Sequence, residues 1–342
     1  MTQLLGRSPS RLLGRRAMLA SLASMSVLGS ASRSNASIET NNDNTNRNAS
    51  NNNVLDSTSV DSLELIDIRV PGSARLGRRA NVYVPKTSNA DGSSQFPMLV
   101  LLHGLGETGS ERDGVFAWAN RYGLLTSYRR LQRPPVSTGV TSTRYLKADR
   151  ADEIDRQLAS HPFKGFVLVC PYTPNVFSMP TNQAIDDYSA WIVDVLIPEV
   201  RSRTPTRDDV RWTGIDGVSL GGFVSYRVFQ RRPEAFFTCG GVQAAIGKAA
   251  APEHAQRFDD VIKRVGPRRL HIETSTQDPY HDANVALSRM LTSRGVEHQL
   301  RVAPGPHNQP WLIEVGALEM LLWHDRQLAI PPSAAPAPAP GI

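Results

Sequence analysis

The stretch Thr213-Gly-Ile-Asp-Gly-Val-Ser-Leu-Gly-Gly222 decides how the rest of the chain is read. Val210, Trp212 and Ile215 form an apolar, strand-like lead-in. A helical pattern follows, Phe223-Val-Ser-Tyr-Arg-Val-Phe-Gln230. Between them lies G-x-S-x-G, Gly217 to Gly221, which sets a serine on a sharp strand-to-helix turn. Glycines two positions to either side leave room where a Cβ would strike the neighbouring strand and helix. Ser219 is therefore the candidate nucleophile. An ordinary turn serine is the competing reading, and the strand before and helix after argue against it.

Working outward, strands and helices alternate. Leu63–Val70 and Arg79–Pro85 read as a hairpin, with Pro71-Gly72 opening its connection. Phe96–His103 and Gly165–Cys170 are near-continuous apolar runs, as expected of strands buried on both faces of a parallel sheet. Phe116–Leu131 and Tyr145–Ala159 read as helices on either side of Pro134-Pro135, and Tyr188–Val200 reads as another that Pro198 should kink. Further strands fall at Phe236–Gln243, Arg269–Ser275 and Glu297–Val302, and helices at Asp282–Ser293 and Pro310–Leu328. This alternation predicts an α/β fold with a mainly parallel sheet. Residues 111–165 exceed what one crossover needs and read as an insertion beside the site.

Three residue types recur at strand C-termini in the order Ser219, Asp278, His307. Strand C-termini line the ligand crevice of an open α/β sheet. A serine hydroxyl needs a base to take its proton, and His307 is placed to do so. Asp278 would orient the imidazole; Asp282 and Glu273 compete for that role. Backbone N–H groups of Leu105 and Leu220 are the candidates to hold an oxyanion. His103 reads as a structural hydrogen-bonder, with a base as the alternative. Trp118, Tyr172, Gln243, Tyr280 and Trp311 are possible substrate contacts or plain packing. The histidines are scattered, and no metal, phosphate-loop or dinucleotide motif appears, so no cofactor is expected.

The ends carry other signals. The chain has 342 residues and a formal net charge of +6; Arg7, Arg11, Arg15 and Arg16 supply four of those charges, and the rest carries +2, too little to indicate nucleic acid. Arg15-Arg16 followed by an apolar run to Gly29 reads as an export signal over 1–31, with the arginine pair pointing to twin-arginine export and a periplasmic or secreted protein. That run is too short to span a bilayer. Residues 32–53 read as an Asn/Ser-rich disordered spacer, 54–330 as one domain, and 331–342 as a Pro/Ala-rich tail.

Asp187 through Trp191, Leu196-Ile197-Pro198, Gly217–Gly222, Asp278-Pro279 and Gly305-Pro-His307 with Trp311 resemble the esterase D and enterochelin-esterase-like family of the α/β-hydrolase superfamily. Leu101-Leu-His-Gly-Leu-Gly-Glu-Thr-Gly109 is closer to the oxyanion loop of carboxylesterases and acyl-protein thioesterases. The resemblance implies hydrolysis of a small-molecule or polysaccharide-linked carboxylic ester through Ser219, Asp278 and His307. An acyltransferase with the same triad, a silent binding protein and a peptidase are the alternatives. The sheet order implied by that fold sets Cys170 and Cys239 three strands, ~14 Å, apart, beyond the ~7 Å a disulfide spans, so both thiols should be free.

Overall fold

The computed structural model describes residues 62–73, 75–86, 95–138 and 144–328. The segments expected to be an export signal (1–31), a spacer (32–53) and a tail (331–342) lie outside the described residues. The chain runs β1 (Leu63–Ser73), β2 (Gly77–Pro85), β3 (Met98–Leu102), α1 (Glu111–Asn120), α2 (Leu124–Gln132), α3 (Ala148–Ser160) and β4 (Val167–Pro171). Then come α4 (Thr181–Ala190), α5 (Ile197–Arg203), β5 (Thr213–Gly217), α6 (Leu220–Arg231), β6 (Thr238–Val242), α7 (Ala251–Val265), β7 (Arg269–Gln277), α8 (His281–Ser293) and β8 (His298–Pro306). A last helix begins as α9 (Gln309–Trp311), passes through a wider π-type turn (Leu312–Gly316) and ends as α10 (Ala317–Leu328).

The sheet has the order β1-β2-β4-β3-β5-β6-β7-β8. The β1–β2 hairpin joins antiparallel to β4, and the remaining strands are parallel. Both faces are covered, and the apolar runs alternate between them. Met98, Val100 and Leu102 of β3 face a core shared with α4 to α8, while Leu99 and Leu101 face a core shared with α1, α2, α3 and α10. A continuous apolar strand is what this two-sided burial requires. Cys170 on β4 and Cys239 on β6 have β3 and β5 between them, and both thiols are free and buried. Among the described residues, no helix is long and apolar enough to cross a membrane.

Three expectations need correction. The helix expected over Phe116–Leu131 is two helices, α1 and α2, because Gly123 takes a left-handed φ of 74° and its missing Cβ clears Ile313. The kink expected at Pro198 appears as a π-type turn, Trp191–Leu196, just before it: Pro198 has no N–H to give the preceding turn. Pro71 and Gly72 lie within β1 rather than in the hairpin turn. Within the 111–165 segment, Trp118, Tyr128 and Ile154 are wholly buried and complete one of the two cores. Helix α7 occupies a stretch to which the sequence analysis assigns no element.

On α7, His254 is buried against the rings of Phe223 and Tyr226. Burial, reinforced by the Arg227 charge, pushes its pKa down to about 4. The unfolded chain therefore takes up a proton near pH 6.5 that the folded chain refuses. This contribution to stability is complete above pH 6.5 and is lost as pH falls towards 4. Between pH 7.5 and 4.5 the wild type should lose about 2.5 kcal/mol more than His254→Phe, which keeps the ring contacts. Urea unfolding midpoints at the two pH values check this, and equal losses would refute it.

Candidate active site

The elbow is built from strain that its surroundings hold in place. Ser219 adopts φ 56°, ψ −115°, a conformation costly for a residue with a Cβ. Its N–H donates to the Val242 carbonyl at 2.9 Å. Its own carbonyl accepts from the N–H groups of Phe223 (3.1 Å) and Ala245 (2.9 Å). Gly221 packs so closely on the end of β3 that an added Cβ would lie 2.2 Å from the Leu102 carbonyl oxygen. Beneath the turn, the buried Asp216 carboxylate accepts from the Gly217 N–H at 2.6 Å and pairs with His324 Nε2 at 3.0 Å.

β7 and β8 end beside each other, and their loops bring the other two candidates together. His307 Nδ1 and Asp278 Oδ1 are 2.9 Å apart. A carboxylate only accepts, so Nδ1 carries the proton and Nε2 is left with its lone pair. Asp278 is pinned further: Oδ1 accepts the Tyr280 N–H (3.0 Å) and Oδ2 accepts the Thr274 hydroxyl (2.6 Å). The rivals are placed elsewhere. Asp282 is exposed and pairs with Lys248 at 3.6 Å. Glu273 is wholly buried, neither carboxyl oxygen has a hydrogen-bond partner, and burial with the nearby Glu319 charge pushes its pKa well up.

Leu105 opens a short helical turn, and Leu220 is the first residue of α6. N–H groups at such positions have no partner within their own helix. The Gly104 N–H is already committed to the Tyr122 hydroxyl (3.2 Å), and that hydroxyl donates to the buried Glu107 carboxylate. Residue spacing alone did not reveal this brace. Glu107 and Tyr122 are fifteen residues apart and meet only in the fold. His103 is buried and structural: Nδ1 donates to the Gly104 carbonyl (2.8 Å), and Nε2 accepts the Thr173 N–H (2.8 Å). Burial lowers its pKa to about 4, so it stays neutral.

The five possible contacts separate. Tyr280 sets its ring 5.7 Å from that of His307, at 67°. The Tyr172 hydroxyl donates to the Thr108 carbonyl of the loop after β3 (2.6 Å). Trp118 and Trp311 are wholly buried: the first packs edge-on to Tyr122, and the second donates from Nε1 to the Pro304 carbonyl (3.0 Å). Gln243 is also fully enclosed. These three are enclosed by protein on every side. Tyr145, from the 111–165 segment, packs against Gly305, two residues before His307. Glu314 Oε1 accepts the backbone N–H groups of Tyr145 (2.7 Å) and Leu146 (2.8 Å). Among the described residues, no group of three or more His, Cys, Asp or Glu is arranged to hold a metal ion.

No family model and no curated protein sequence matches the chain. Solved structures do resemble it. A ferulic acid esterase superposes with a TM-score of 0.53 at 17% identity, over 78% of this chain and 99% of its own. The S-formylglutathione hydrolase of Staphylococcus aureus gives 0.53 at 15%, over 77% and 99%. A ferulic acid esterase from the anaerobic fungus Anaeromyces mucronatus gives 0.51 at 17%, over 77% and 91%. The fold is that of the α/β-hydrolases. At these identities the likeness concerns the fold.

Proposed function

We propose that the protein is a serine hydrolase that cleaves a carboxylic ester through an acyl-enzyme. The observation that carries this reading is the 2.9 Å bond between His307 Nδ1 and Asp278 Oδ1 on the strand ends that follow a serine held at φ 56°. His307 Nε2 takes the Ser219 proton as Oγ attacks the ester carbonyl. The N–H groups of Leu105 and Leu220 receive the oxyanion. The tetrahedral adduct then expels the alcohol, which His307 protonates, leaving the acyl group on Ser219. Water, deprotonated by the same imidazole, repeats the sequence and releases the acid.

The ferulate and S-formylglutathione specificities belong to the structural neighbours. For this chain we place acyl selection at Tyr280, beside His307, and at Tyr172 and the loop after β3 to which its hydroxyl is bonded. We also propose that residues 1–31 direct twin-arginine export and that 54–330 form the catalytic domain. Support for export comes from Arg15-Arg16 and the short apolar run after it.

The test is hydrolysis of p-nitrophenyl acetate and butyrate by residues 32–342, with fluorophosphonate labelling followed by peptide mapping. Turnover with the label on Ser219 is expected. Neither turnover nor label would overturn the reading. Transfer to an added alcohol in preference to water would turn it into an acyltransferase.

A further inference from the structure

Gln243 breaks two local rules at once. It is one of two non-glycine residues with a left-handed φ among those described, at 48°; the other is Ser219. It is also wholly enclosed, with a buried Oε1 that has no hydrogen-bond partner among the described residues. Residues kept in such conformations persist where the surrounding structure has a use for them. A buried acceptor left unpaired is also unfavourable, which makes a merely space-filling glutamine a poor choice.

Its bonds reach every part of the candidate triad. The Gln243 N–H donates to the Glu273 carbonyl on β7 at 2.6 Å. The peptide before it accepts the Ser219 N–H, and Ala245, two residues on, donates to the Ser219 carbonyl. Its side-chain Nε2 donates to Ser275 Oγ (2.6 Å) and to the Pro306 carbonyl (3.1 Å). A carbonyl can only accept, so the nitrogen must face Pro306, and the amide orientation is fixed. The carbonyl of Ser275 accepts the Asp278 N–H at 3.1 Å, closing the turn that presents the acid. The Pro306 carbonyl belongs to the peptide bond leading into His307.

We infer that Gln243 is a positioning residue: its buried amide and strained backbone lock the Ser219 elbow, the Asp278 turn and the His307 loop into one frame. It touches no substrate and acts through the three residues it spaces. This rests on the serine-hydrolase reading for its catalytic consequence but not for the tether itself. Errors of about 1 Å between reacting groups cost on the order of 10²-fold in rate.

Two variants separate positioning from core filling. Gln243→Gly relieves the backbone strain and deletes the amide, whereas Gln243→Met keeps the volume without donors. Both are expected to lower kcat 10- to 100-fold with KM within twofold of wild type. Both should also broaden or abolish the downfield Nδ1–H proton resonance of His307, assigned by its loss in His307→Gln. A wild-type kcat per folded molecule with the resonance retained, even at a lowered urea midpoint, would mark a core residue and overturn the proposal. Should neither variant fold, Ser275→Ala removes one partner hydroxyl only. A three- to tenfold fall in kcat with a broadened resonance is then expected, and an unchanged enzyme refutes the tether. If the wild type shows no turnover, the functional reading fails, while the resonance still decides whether Gln243 holds His307.

Discussion

Ser219→Ala is expected to lower ester hydrolysis by about 10⁶-fold, whereas Asp278→Asn should cost only about 10²-fold. The first removes the atom that attacks, and serine hydrolases stripped of their nucleophile fall by roughly this amount. The second depends on which way an asparagine would sit. In many triads the amide reverses the histidine tautomer, at a cost of about 10⁴. Here the Tyr280 N–H also points at the Oδ1 position and requires an acceptor there. The asparagine oxygen would take that place and keep accepting from His307 Nδ1. Its nitrogen would face Thr274, whose hydroxyl can turn to accept. What is lost is the charge, worth about 1.5–3 kcal/mol in such a bond. Steady-state kinetics on p-nitrophenyl butyrate check both. A 10⁴-fold loss in Asp278→Asn would show that the Tyr280 N–H does not hold the oxygen in place.

Gly221→Ala should cost about 3–5 kcal/mol of stability, the range of a severe clash in a packed core. The added Cβ would lie 2.2 Å from Leu102 O, 2.6 Å from Leu102 C and 2.7 Å from His103 O. All three are backbone atoms of the central strand and its exit, so no side chain can swing away. Gly247→Ala is the matched control: its backbone is extended, and nothing lies within 4 Å of the new Cβ. A stability change within about 0.5 kcal/mol is expected there. Equal urea midpoints for the two variants would show that α6 can withdraw from β3 without loss.

The elbow, the strand sequence and the Ser219–Asp278–His307 order were legible because each is a local pattern with one structural outcome. Period-two and unbroken apolar runs can bury themselves only as strands of a covered sheet. A glycine on each side of a serine between strand and helix has few other uses. What was not legible depends on partners distant in sequence. Gln243 reads in sequence as a strand's last residue and a possible substrate contact, and only the arrival of Ser275 and Pro306 beside it gives the amide its role. The bonds that pin Asp278, from the Thr274 hydroxyl and the Tyr280 N–H, likewise take shape only in the folded turn. Gly123 divided a helical pattern because Ile313, nearly two hundred residues later, occupies the space where a Cβ would stand.

Among the described residues, strand β8 has a neighbour on one side only, and it also leads into His307. An open strand edge is a template for other chains, and Val302 leaves an apolar side chain exposed on it. Yet Pro304 and Pro306 have no N–H to offer, so a foreign strand cannot extend its ladder through the last residues before the histidine. Intermolecular β-pairing, whether by aggregation or by exchange of strands between copies, is thus halted before it reaches His307. Loss of solubility and loss of activity should then be separable: a proline-free β8 would couple them.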